Sequence, residues 1–161
     1  MTGTNSPLEH RKIRLPAEVY WRAGTSWLVT VSAADRASRP FVSEGLAGEV
    51  VSVLETSHRL RACRLLAYCL VPDHLHFVTT VEDGGDVLKL ADGFKSFSTK
   101  VWRDAGGSGP LWQLSFHDRG LRSSDDIEVA LRYVWGNPQR AGLISDGHAY
   151  VHRGGEFFEA T

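Results

Sequence analysis

The sequence predicts an α+β fold, an antiparallel sheet with helices packed on one face, and three observations predict it. The runs at residues 27–32, 63–71 and 74–81 are dense in β-branched and other apolar side chains, as strands are. Only Pro72 and Asp73 separate the second run from the third, which makes the pair a hairpin. Between the remaining runs, apolar residues recur at helical spacing. At 161 residues the chain suffices for one domain around one core.

Taken in order, residues 1–9 are polar and read as a disordered N-terminal tail, and from His10 the chain turns basic (HRKIRLP). WLVTVS at 27–32 is the first strand, and the polar loop 33–40 follows it. Ala47, Val50, Val53 or Leu54, and Ser57 then mark a helix that closes on His58 and Arg59. After the hairpin, Asp86 reads as a helix N-cap, with Val87, Leu90, Phe94, Phe97 and Val101 as the buried stripe and Gly93 as its weak point. GGSGP at 106–110 is a flexible loop that leads into a fourth strand within LWQLSFHDRGLR.

Ser123 or Ser124, with Asp125 and Asp126 in the first turn, opens a third helix, whose stripe is Ile127, Ala130, Leu131 and Val134. Pro138 should end or bend it. Residues 148–161 show no period and read as a C-terminal tail. The resulting βαββαβ order is the ferredoxin-like pattern, which leaves the other sheet face free to work.

Composition excludes several classes. No apolar run approaches the roughly 20 residues of a membrane span. The first residues contain no apolar signal segment either, so a cytoplasmic protein is expected. A net charge of −1 means that a nucleic-acid partner must be met by a local patch. Cys63 and Cys69 lie too far apart along one strand to bridge, and their spacing fits no zinc motif, so they read as buried reduced thiols.

The chemistry-bearing stretch is VPDHLHFVTT at 71–80. Side chains at i and i+2 share a face of a strand, so His74, His76, Val78 and Thr80 look one way and Leu75, Phe77 and Val81 the other. Two imidazoles on one face can reach one divalent metal, but a pair alone is as readily structural, and a third ligand is needed.

LVPDHLHFV, a helix bearing FKSFST, GPLWQLSFHDRGLR and LRYVWGNPQRAGLI follow one another in this order. Together with HRKIRLP they resemble the single-tyrosine HUH transposases, in particular the REP-associated tyrosine transposases among the insertion-sequence transposase-like proteins. The resemblance spans about residues 10–144. It implies an HUH transposase-like catalytic domain over residues 10–147, with the tyrosine on a C-terminal helix. Residue by residue, it implies that His74 and His76 hold Mg²⁺ or Mn²⁺, that Tyr133 is the nucleophile, and that Asn137 completes the metal site. The residues agree, because Tyr133 and Asn137 fall one helical turn apart on one edge of the apolar stripe.

The implied reaction is nicking and joining of single-stranded DNA by transesterification through a 5′-phosphotyrosine, hence DNA transposition or recombination. The partner would be a palindrome-like hairpin, met by a monomer or a homodimer. A phenol titrates near 10, so its proton must be helped away. Arg11, Lys12 and Arg14 form the densest basic cluster, three cations within four residues, and are expected on phosphates with Lys95, Arg119 and Arg122. Asp73 and His117 are candidates for supporting the metal site or touching DNA. Trp21, Trp112 and Trp135 could stack bases or fill core. Three rivals stand beside this reading: a hairpin DNA or RNA module that binds without cutting, a metallo-hydrolase in which water attacks, and a purely structural protein.

Overall fold

The computed structural model describes residues 15–145 and 149–159. The 1–9 tail, Arg11, Lys12 and Arg14 lie outside the described residues. The elements are α1 (Ala17–Tyr20), β1 (Ser26–Ser32), α2 (Glu44–Leu60), β2 (Cys63–Val71), β3 (His74–Val81), α3 (Val87–Asp104), β4 (His117–Leu121), α4 (Ser124–Trp135), α5 (Asn137–Arg140), β5 (Arg153–Gly154) and α6 (Glu156–Glu159). The strands form one antiparallel sheet in the order β4-β1-β3-β2-β5. Its first four strands have the order that βαββαβ connectivity requires.

Local chemistry sets the boundaries. Ser43, Asp86 and Ser123 each cap a helix, their side-chain oxygens accepting from backbone N–H groups of the first turn. The two-residue Pro72-Asp73 turn fixes the hairpin register, so Leu75 faces Leu70 and His76 faces Cys69. On one sheet face, Val29, Val31, Leu75 and Phe77 pack with Ala47, Val50 and Leu54 of α2 and Leu90 and Phe94 of α3.

The other face is not left free as expected. Val78, Cys69, Val71 and Ala67 are covered by Ala130, Leu131 and Val134 of α4, which form a second, smaller core. Three further expectations change. Phe97 leaves the buried stripe and stands 54% exposed between α2 and α3. The fourth strand is only His117–Leu121, Trp112 contributing an isolated bridge to Ala33. Part of the segment expected as a tail builds β5 and α6 against β2, with Leu70 donating to the His152 carbonyl and Tyr150 Oη to the Leu70 carbonyl.

Candidate active site

The pleat and the register bring the site together. One rung crosses all five strands, Arg153–Cys69–His76–Thr30–His117, and opposed residues of an antiparallel sheet point to the same face. The next turn of the pleat puts His74 on that face too, and the two imidazoles meet edge to face, 4.6 Å between centroids.

Each ring is held by its Nδ1. His74 Nδ1 lies 2.7 Å from Asp73 Oδ1, and the other carboxylate oxygen takes a hydrogen bond from Arg36 at 3.0 Å. Burial pushes the Asp73 carboxyl up, but the bonds from His74 and Arg36 outweigh it and hold it below its ordinary value. His76 Nδ1 lies 2.7 Å from Thr30 Oγ1. Burial, reinforced by the charges of His74 and Arg140, pushes His76 down to about 3, so its ring is neutral. Where Nδ1 carries the proton and donates it to such a partner, Nε2 is left with the lone pair.

The helix supplies the rest. Gly136 keeps helical dihedrals, φ −79° and ψ −1°, and Arg140 and Ala141 donate back to Gly136 and Asn137. The turn therefore continues from α4 into α5, and Tyr133 and Asn137 stay on one edge despite Pro138. Gly136 is the C-cap of α4. Asn137 is buried, its Nδ2 donating to His74 Nε2 at 3.2 Å. Tyr133 meets His76 edge to face, centroids 5.3 Å apart at 68°, while 44% of the residue stays exposed.

Among the described residues, no three His, Cys, Asp or Glu side chains cluster as ligands. The groups gathered here that could hold a metal are the two imidazoles and the Asn137 carboxamide. Turning the Asn137 amide over would present its oxygen where its nitrogen now meets His74, and two nitrogens with one oxygen suit a divalent first-row ion.

Several partners of the site escaped sequence reasoning. Thr30 and Arg36 lie far from the histidines along the chain and carried no signal. Arg140 stood inside the NPQR stretch; its Cζ lies 4.0 Å from the Tyr133 ring centroid and it donates to the Tyr133 carbonyl.

The expected DNA contacts divide. Arg119 lines a cleft of about 330 Å³ that Tyr133 and His76 also line, and Arg122 is exposed just before α4. His117 is exposed on the same sheet face as His76, one strand beyond Thr30. Lys95 stands on α3, across the sheet from the histidines, donating to the carbonyls of Gln113 and Leu114 at 2.7 and 3.0 Å. Trp112 is buried and donates to Ser98 Oγ, and Trp135 is stacked between Phe158 and Arg153, so of the three tryptophans only Trp21 stands open.

No protein-family model matches the chain. In sequence it is similar to a REP-associated tyrosine transposase of Escherichia coli strain K12, 25% identical over 134 residues, 78% of this chain and 73% of that protein. In structure it is similar to a REP-associated tyrosine transposase bound to a REP hairpin, with a TM-score of 0.62, 21% identity, and coverage of 83% of this chain and 76% of that one. A transposase-like protein of Deinococcus radiodurans gives a TM-score of 0.52, 14% identity and coverage of 79% and 96%. The fold and the resemblance read from the motifs are thereby borne out.

Proposed function

We propose that the chain is a metal-dependent strand transferase that cuts and rejoins single-stranded hairpin DNA, with Tyr133 as nucleophile. The observation that carries this reading is the convergence of His74, His76, Asn137 and Tyr133 from β3 and the α4–α5 junction, with His76 and Tyr133 in ring contact. The sequence similarity to a REP-associated tyrosine transposase supports the class of substrate.

In this reading His74 and His76, through Nε2, and Asn137, through its carboxamide oxygen, hold Mg²⁺ or Mn²⁺. Such an ion supplies positive charge to the scissile phosphate and to the departing oxygen. Asp73 and Thr30 keep the imidazoles in the ligating tautomer. His76 and Arg140 fix the Tyr133 ring from two sides while its exposed edge stays open to DNA.

Tyr133 Oη forms its bond to phosphorus as the bond to the 3′ oxygen breaks. The phenolic proton passes to solvent, and the departing 3′ oxygen takes a proton from solvent to end as a free hydroxyl. Because the 5′-phosphotyrosine conserves the ester, a second 3′ hydroxyl reverses the step and joins strands without ATP.

The test is covalent capture. Wild type and Tyr133→Phe are incubated with Mn²⁺ and labelled single-stranded hairpins from DNA flanking the gene, then resolved by denaturing electrophoresis and peptide mapping. An adduct on Tyr133, absent from the variant and in EDTA, is expected. Tight binding without adduct or cleavage would favour a non-cutting hairpin module, and cleavage surviving Tyr133→Phe would make water the nucleophile.

A further inference from the structure

The cleft beside Tyr133 lies on the opposite side of His76 from the contacts that hold His74. Its floor is Leu28 and Thr30 of β1, its wall is Val129 and Tyr133 of α4, and its polar edge is Arg119 and Asp126. At about 330 Å³ it falls at the small end of the roughly 300–1,000 Å³ range of small-molecule pockets.

Its chemistry is divided in a particular way. Leu28 and Val129 offer apolar surface, and the Tyr133 ring offers an aromatic one. Leu28 and Arg119 are directly opposed on β1 and β4, so the arginine rises from the same sheet face as the floor. No ion pair engages Arg119 among the described residues, which leaves its fork of donors available. Asp126 accepts the Arg122 backbone N–H with Oδ2 alone, and its other oxygen remains an acceptor.

An apolar and aromatic slot edged by one donor fork and one carboxylate suits a flat heterocycle carrying both acceptors and an amino group. Single strands are recognised by taking bases out of the stack, packing their faces and hydrogen-bonding their edges. We propose that this cleft takes one unstacked base of the substrate strand, next to the phosphate that Tyr133 attacks, and that Asp126 selects bases with an exocyclic amino group over thymine. The inference rests on the strand-transfer reading for the position of the base relative to the cut. It does not rest on that reading for the binding itself. Arg119 and Asp126 are specificity residues here, and the occupied base would also carry the scissile phosphate to the exposed edge of Tyr133.

The test separates binding from chemistry. 2-Aminopurine replaces each nucleotide in turn in single-stranded hairpin oligonucleotides, which are titrated in EDTA with wild type, Arg119→Ala and Asp126→Asn. One position beside the cut is expected to respond, and an abasic site there should weaken binding roughly 5- to 150-fold, the range of one stacked base. Arg119→Ala should weaken all four bases at that position, whereas Asp126→Asn should reorder them and remove the penalty on thymine. Equal binding of abasic oligonucleotides at every position overturns the proposal, as does an unchanged base ranking in Asp126→Asn. Adduct formation is then scored in Mn²⁺. A position-specific response without any adduct sustains the cleft and sinks the strand-transfer reading, while an adduct without a position-specific response sinks the cleft alone.

Discussion

The guanidinium of Arg140 lies over the ring of Tyr133, its Cζ 4.0 Å from the centroid, and the same side chain donates to the Tyr133 carbonyl. A cation on an aromatic face contributes about 0.5–1 kcal/mol when exposed and about 2 kcal/mol when desolvated. Here it fixes one side of the ring while the His76 edge fixes the other. Arg140→Lys keeps the charge but loses the plane. At saturating oligonucleotide the rate of adduct formation should fall about 10-fold, because the ring is less often aligned. Single-turnover kinetics measure this, and a wild-type rate in the variant would mean that the stacking plays no part.

Asp73 joins Arg36 to His74 and is expected to fix the histidine tautomer. Asp73→Asn should lower Mn²⁺ affinity about 10- to 100-fold, as loss of such an outer partner typically does. Titration calorimetry or Mn²⁺ paramagnetic resonance reads this directly. Thr30 holds His76, and Asp73 and Asn137 hold His74, so EDTA should abolish adduct formation and leave the far-ultraviolet dichroism unchanged. Saturating Mn²⁺, at a hundred times its dissociation constant, should in turn add about 2.7 kcal/mol to unfolding stability. A binding constant unchanged by Asp73→Asn would remove the carboxylate from the site.

What was legible in the sequence is what depends on local periodicity. The alternation that puts His74 and His76 on one face needs only the pleat, and the spacing of Tyr133 and Asn137 needs only the helical turn. The Asp86 and Ser123 caps are likewise local. Thr30 and Arg36 were illegible because they reach the histidines through strand register and a loop path, neither of which leaves a local pattern. The covering of the second face did leave a trace. Residues 67–71 of β2 are buried without interruption, and AYCLV is apolar on both faces, the pattern of a strand with neighbours on both sides. Phe97 misled because a helical stripe shows which residues align and not how far the neighbouring helix extends over them.

The C-terminal segment ties down the helix that carries Tyr133. Arg153 stacks on Trp135 at 4.0 Å and donates to its carbonyl at 2.8 Å, while Phe158 stacks on the Trp135 ring at 3.9 Å. Arg153→Met retains an apolar stem and removes the hydrogen bond and the cation. A loss of about 1–2 kcal/mol is expected from a hydrogen bond and an exposed stacking contact together. In a chain of this size that lowers the melting temperature by roughly 2–8 °C. Thermal unfolding checks it, and hydrogen exchange should rise first at the end of α4. An unchanged melting curve would mean that the segment rests on the domain without bracing it.

Gly136 separates stability from the geometry of the nucleophile. Its backbone is helical, so no left-handed conformation requires glycine there. A Cβ at this position would stand 3.0 Å from Arg140 Nη1 and 3.3 Å from the Arg132 carbonyl oxygen. The carbonyl must give by a few tenths of an ångström, but the guanidinium, at the far end of a flexible chain, can swing away. Ala also restricts the unfolded chain and favours helix, effects of about 0.4–1 kcal/mol. Gly136→Ala should therefore hold or slightly raise the melting temperature while releasing Arg140 from the Tyr133 ring. The adduct rate should fall about as far as in Arg140→Lys, with little further loss when the two changes are combined, since both remove one contact. Fully multiplicative losses in the double variant would show that Gly136 serves the site by a route other than Arg140.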